Sequence, residues 1–188
     1  SYLKNHIAVL IVVLLCILIH AYAQITLKGA ASFDNVRAMG YSEVNLNAGC
    51  PSGTVVAKHK GSGMLADPEA LDRFFHEVFE GLEGENLKIS VKTRIGLEDK
   101  DNWPAVMAVF NRYPICDLTI HPRLRRQFYK GKPDWEAFSL AVQNSHLPLC
   151  YNGDIFTLED ARAVKARFPS VEQVMLGRGL VANPALAR

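Results

Sequence analysis

Cys50 ends the run Glu43-Val44-Asn45-Leu46-Asn47-Ala48-Gly49-Cys50-Pro51-Ser52, a β-like alternation that stops abruptly between a glycine and a proline. The run sets a thiol, and at Asn47 a side-chain amide, at the end of a strand. Gly49 permits backbone geometry that other residues resist and Pro51 fixes φ, so the thiol sits on a rigid corner. An ordinary thiol, with a pKa of about 8.5, is mostly protonated at neutral pH and can give its proton to carbon. An isolated cysteine is more often a buried structural residue. The segments that follow argue for chemistry instead.

Four further β-like segments each run into polar or glycine residues. Lys88 to Val91 leads to Lys92-Thr93-Arg94, Leu118 to Ile120 to His121-Pro122-Arg123, Pro148 to Tyr151 to Asn152-Gly153-Asp154, and Val174 to Leu176 to Gly177-Arg178-Gly179. Amphipathic stretches with helical spacing separate them, at Pro68 to Phe79, Trp103 to Tyr113, Trp135 to Asn144 and Leu158 to Phe168. Asp67-Pro68 and Thr157-Leu158-Glu159-Asp160 read as helix starts. Apolar strands alternating with helices predict an α/β fold with a parallel sheet. Polar residues at every carboxyl end predict one shared site.

The segments EVNLNAGCPSGTVVAKHKGSGML, ISVKTRIG, LTIHPR, CYNGDIF and VMLGRGLVANP, in that order, resemble the tRNA-dihydrouridine synthases, and more narrowly their branch in clostridia-type bacteria. The resemblance covers residues 40–188 and implies a flavin enzyme on a TIM (β/α)8 barrel. It implies that reduced FMN, recharged by NADPH, gives a hydride to C6 of a uridine in tRNA while the cysteine matching Cys50 protonates C5. By the same resemblance Lys92 and His121 lie against flavin and substrate and Arg123 near them; the expected cofactor site is Gln24, Lys92, His121, Asn152, Gly153, Asp154, Gly177 and Arg178.

The chemistry agrees with the resemblance. Reducing a pyrimidine C5–C6 bond needs a hydride donor, a proton donor and stabilisation of charge on a ring carbonyl. Cys50 suits the acid role, Lys92 and His121 supply donors, and Asn47 can bond a base edge or a flavin carbonyl. Without the constellation, Lys92 reads as a solvated strand end, His121 as a loop histidine and Arg123 as a surface charge. A flavin phosphate needs backbone N–H groups and a cation at the last strands of a barrel, which Asn152-Gly153-Asp154 and Gly177-Arg178-Gly179 offer. Glycine at 153 and 177 would let the main chain approach that ligand.

A net charge of +2 and a pI near 8.3 do not announce a nucleic-acid partner. Locally, however, Arg123, Arg125, Arg126, Lys130 and Lys132 precede the next acidic residue, Asp134, and are interleaved with Phe128, Tyr129 and Trp135. Arg125, Arg126 and Lys130 are the expected RNA contacts, with aromatic rings to stack on unpaired bases; the alternative is a solvated loop. Lys58-His59-Lys60 before Gly61-Ser62-Gly63 is flexible by composition and resembles the family's loop beside the catalytic corner, which orders over substrate. The four cysteines show no metal-ligand spacing, so no metal is expected, nor is a stable protein partner.

With 49% hydrophobic and 21% charged residues, the 188-residue chain reads as one globular domain. A complete barrel takes about 250 residues, so the expectation is an incomplete one: about six parallel strands, with Gln24 to Leu27 as the first, and a barrel domain over 24–188. Two earlier strands and the family's C-terminal helical extension are then missing, and the chain alone should bind FMN poorly and be inactive. Residues 1–23 form a hydrophobic leader. Its apolar run Ile7 to Ile19 precedes Ala21-Tyr22-Ala23 like an export signal and is shorter than the roughly 20 residues of a membrane span. It reads first as a non-native leader, next as a stand-in for barrel strands, and last as true export, so a cytoplasmic location is expected. The competing functions are an FMN barrel oxidoreductase of the dihydroorotate dehydrogenase type and a catalytically inactive fragment.

Overall fold

A computed structural model describes Phe33, Val36 and residues 38–187. Five strands, β1 (Glu43–Ala48), β2 (Lys88–Arg94), β3 (Ile115–His121), β4 (Leu149–Tyr151) and β5 (Gln173–Val174), form one sheet in the order of the chain. All four pairings are parallel. The helices are α1 (Gly53–Val56), α2 (Pro68–Glu80), α3 (Trp103–Phe110), α4 (Trp135–Asn144), α5 (Leu158–Arg167) and α6 (Arg178–Ala182). Strands that follow one another in space as in sequence, each joined by a right-handed crossover, collect their helices on one side. A doubly wound sheet would reverse order partway. The sheet is therefore an arc of a barrel, the expected α/β architecture.

Register divides the sheet into two faces. Leu46, Val91, Leu118 and Leu149 form one row across four strands, and Ala48, Thr93, Ile120 and Tyr151 form the next. These rows meet the helices. Phe75, Phe110 and Phe138 are fully buried there, and Trp103, 2% exposed, donates its Nε1–H to Ala137 O at 2.8 Å. Rows of opposite parity are polar: Asn45, Ser90 and Asp117, then Asn47, Lys92, Thr119 and Cys150, then Arg94 and His121. They are linked sideways, Asn45 Nδ2 donating to Ser90 Oγ at 3.0 Å, and Ser90 Oγ to Glu43 Oε1 at 2.6 Å.

Local chemistry sets most boundaries. Asp67 Oδ1 accepts from the Glu69 and Ala70 N–H groups, both at 3.0 Å, and Pro68 opens α2. Asp134 caps α4 through Ala137 N–H, and Thr157 and Asp160 cap α5 reciprocally. Helix α3 stops at Phe110, short of the expected Tyr113: Pro114 disfavours helical geometry in the residue before it, and the Tyr113 hydroxyl turns to donate to Asp72 O at 2.8 Å. Strands β2 and β3 run longer than expected, because Lys92 to Arg94 and Ile115 to Asp117 remain in the ladder although not apolar throughout. Strand β5 is shorter, though Met175 N–H still donates to Tyr151 O at 2.8 Å. The segment Gln24 to Leu27, expected as a sixth strand, and the leader lie outside the described residues.

Phe138 packs edge-on against Tyr151 and Phe168, with centroids 5.0 and 4.8 Å away, between the sheet and α5. Phe138→Ala should lower unfolding free energy in urea by about 3–5 kcal/mol. Asp67→Ala, which removes only a cap, should cost about 1 kcal/mol. Equal losses for the two would contradict this placement of the core.

Candidate active site

Because every strand is parallel, all five carboxyl ends open on one edge of the sheet. The corner at Cys50 is built there from both sides. Asn47 Oδ1 accepts the Gly49 N–H at 3.0 Å, and Cys50 O accepts from the Ser62 N–H at 3.0 Å and the Ser62 hydroxyl at 2.9 Å. Gly61 has φ +55°, and a Cβ there would stand 2.8 Å from the Cys50 Cβ. Residues 61–63 are buried in a 3₁₀ turn, Gly61–Ala66, and form the packed back wall of the corner, whereas Lys58 and His59 just before them are exposed. Glycine is compositional evidence for mobility only where it is solvated; here its missing side chain lets two backbones touch.

Sequence reading did not single out Arg94, which organises this edge. Its side chain, 2% exposed, donates from Nε to Gly49 O at 3.1 Å, from Nη1 to Leu124 O at 3.0 Å and from Nη2 to Phe128 O at 2.9 Å. Burial holds its pKa below the usual arginine value. The signal for it was alternation: Lys92 and Arg94 share a face, and register sets Arg94 beside His121.

His121 is 6% exposed, and its pKa is pushed down to about 2, first by burial and then by Arg94, Lys92, Arg123 and Arg178. These surroundings favour the neutral imidazole at physiological pH. Arg123 is not a surface charge either. It is fully buried, with Nη1 donating to Asp154 Oδ1 at 2.9 Å, Nη2 donating to Asp154 Oδ2, and Nη2 also donating to Gly131 O at 2.6 Å. Asp154 also accepts from Arg178 Nη2 at 2.6 Å, and the Arg178 guanidinium lies 4.6 Å from the Tyr129 ring centroid and 5.6 Å from that of Phe156.

The other expected cofactor residues differ in what they touch. Asn152 Nδ2 donates to Met175 O at 2.9 Å, tying β4 to the residue after β5. A Cβ on Gly153 would collide with the Tyr151 ring, so its close approach is to its own chain. At Gly177 no atom lies within 4 Å of that position, leaving the space the reading requires. Gln24 falls outside the described residues.

The basic loop is less free than its composition implies. Arg125 donates from Nε to Pro51 O at 3.3 Å and pairs with Glu98 at 3.4 Å, so an acidic residue from another loop partly neutralises it. Trp135 is not available to stack on a base, because its Nε1–H donates to Tyr151 Oη at 3.0 Å and its ring meets Phe168. Arg126, Phe128, Tyr129, Lys130 and Lys132 are exposed. Cys150 is buried, and burial pushes its thiol up to about 12. Among the described residues no cluster could hold a metal ion, and no helix is long and apolar enough to cross a membrane.

The profile of the dihydrouridine synthase (Dus) family matches residues 19–188. The chain is 34% identical over 152 residues to the tRNA-dihydrouridine(16) synthase of Neisseria meningitidis serogroup B, covering 79% of this chain and 44% of that protein. Its identity with the tRNA-dihydrouridine(16) synthase of Aquipseudomonas alcaligenes is 31% over 150 residues, covering 80% and 47%. With a probable tRNA-dihydrouridine synthase of Staphylococcus epidermidis it is 31% over 151 residues, covering 78% and 45%. The chain thus spans a little under half the length of these curated relatives. The matched residues take in the whole parallel sheet and each strand-end side chain described above, and the chain belongs to the dihydrouridine synthase family.

Proposed function

We propose that the protein is a tRNA-dihydrouridine synthase, reducing the C5–C6 bond of a uridine in tRNA with FMN as cofactor and NADPH as reductant, in the cytoplasm. The observation that carries this reading is the placement of Cys50 on a braced corner at the same sheet edge as Lys92, Arg94 and the neutral His121. The edge suits a ligand that carries phosphate: the cations Lys92, Arg94, Arg123 and Arg178 surround His121, and Asp154 is the carboxylate paired with two of them. Bound FMN would supply the hydride for C6. Cys50 holds the proton destined for C5, and its position is fixed by main-chain hydrogen bonds rather than by its own side chain. Asn47, its oxygen engaged by Gly49 N–H, keeps its amide nitrogen as a donor for a carbonyl. Lys92 lies beside Asn47 in register and offers a positive donor where charge develops on the ring. The exposed position of Arg178, with Gly177 open beside it, supports it as the proposed contact for the cofactor phosphate.

The exposed Arg126 and Lys130 are the proposed phosphate contacts for tRNA, and Tyr129 the proposed stacking surface. Arg125, by contrast, braces Pro51 and so belongs with the corner. The relatives named above carry tRNA-dihydrouridine synthase names, which supports this reading over the dihydroorotate dehydrogenase alternative.

Cys50→Ala, made in the gene product at its full length, should lower turnover on unmodified tRNA by about 10² to 10⁴ while flavin absorbance is retained. The bonds that hold the corner end on the Cys50 carbonyl, so the fold should survive. Wild-type turnover would remove Cys50 from the proposed mechanism. In the same protein, Arg126→Ala with Lys130→Ala should weaken tRNA binding and flatten its dependence on salt by about one unit of slope per lost contact. Flavin reduction by NADPH should be unchanged. An unaltered slope would return the loop to a solvated role.

A further inference from the structure

Arg123 lies two residues beyond β3, its N–H donates back to His121 O at 2.7 Å, and its side chain meets that of the histidine. The guanidinium Nη1 faces His121 Nε2 at 3.2 Å. A guanidinium has donors and no acceptor. The ring nitrogen opposite it therefore accepts, and a nitrogen that accepts carries no proton. Both groups are nearly or fully buried, so water does not replace this contact. In a neutral imidazole the remaining proton is then on Nδ1.

We propose that Arg123 and Asp154 are positioning residues that fix His121 as the neutral tautomer protonated on Nδ1, so that Nδ1–H is the donor this residue presents to a ligand. Asp154 acts through Arg123: its two oxygens engage both Nη atoms, and Gly131 O takes a further Nη2 hydrogen, so the guanidinium plane has little freedom. Charge supports the assignment. The ionisable groups acting on the ring are Lys92 and Arg94 from β2, Arg123 itself and Arg178 from α6, all cationic, with the Tyr129 ring 6.1 Å away. Asp154 offsets part of that charge from beyond Arg123. The imidazole gains no proton from such surroundings at physiological pH. The consequence for turnover rests on the synthase reading above, whereas the tautomer is a property of the chain itself.

Long-range proton–nitrogen NMR spectra of the full 188-residue chain, labelled with ¹⁵N-histidine and assigned with His121→Gln, read the tautomer directly. The expected result is a protonated Nδ1 and an unprotonated Nε2 at His121, unchanged between pH 5 and 8. Arg123→Met should convert His121 to a mixture or to the Nε2–H form. Asp154→Asn, which preserves size and leaves Arg123 in place, should do so in part, and it keeps the test open if Arg123→Met fails to fold. A protonated Nε2 in the unsubstituted chain, or titration of His121 between pH 5 and 8, would overturn the proposal. So would a pure Nδ1–H form in both folded variants. If the tautomer is as stated but the full-length protein forms no dihydrouridine, the synthase reading fails and this inference stands.

Discussion

A buried cation that ends on three carbonyls governs this edge of the protein. Arg94 links Gly49 before the cysteine, Leu124 at the start of the basic loop and Phe128 in its middle. Each of these carbonyls would otherwise need water, and the guanidinium would otherwise be a desolvated charge; neither is stable inside the fold without the other. Loop and corner are consequently one rigid unit although more than seventy residues separate them, as the Arg125 contact to Pro51 also requires. Phe128 shows the cost. It has φ +49° and ψ −93°, a conformation that a side chain disfavours, and it is held there while its carbonyl accepts from Arg94.

The same division of labour runs through the whole sheet. One face is apolar and carries stability through Leu46, Val91, Leu118 and the aromatic layer beneath the helices. The other is polar from Glu43 at one end to His121 at the other, and it contributes hydrogen bonds in place of apolar burial. Asp117 on that face has one oxygen bonded to the Thr119 hydroxyl, and burial pushes its pKa upward. A sheet with both faces apolar would be more stable, but it would offer no row of donors leading to the strand ends. Function is thus written into the pleat, with alternate residues serving packing and chemistry.

What could be read from the sequence follows the range of the interactions. The bounds of helix α4 are legible in its amphipathic spacing, and the starts at Asp67 and Thr157 in their capping residues. Strand order and the gathering of Asn47, Cys50, Lys92 and His121 on one edge follow from βα alternation alone. Register was not legible, and with it went Arg94, whose partners lie 30 to 45 residues away. Ser62 was passed over because nothing in Gly61-Ser62-Gly63 distinguishes a solvated glycine turn from one pressed against a backbone. Trp135 and Arg125 illustrate a related limit: aromatic and basic residues in a loop read as facing solvent until a long-range partner claims them. Here Tyr151 and Pro51 do so.

Asp154 shows why composition is a poor guide to charge at such a site. As the carboxylate that serves two arginines, it spends both oxygens on buried Arg123 and shares one with Arg178, which is half exposed. The pair with Arg123 cannot be given up, because the fully buried guanidinium would be left a desolvated charge. The exposed one can: an incoming anion at the rim would compete for Arg178 alone, with Tyr129 and Phe156 keeping its guanidinium in place by cation–π contact. One carboxylate thus anchors a permanent element and a displaceable one. An anion that displaced Arg178 from Asp154 would leave Arg123 and the histidine it faces in place.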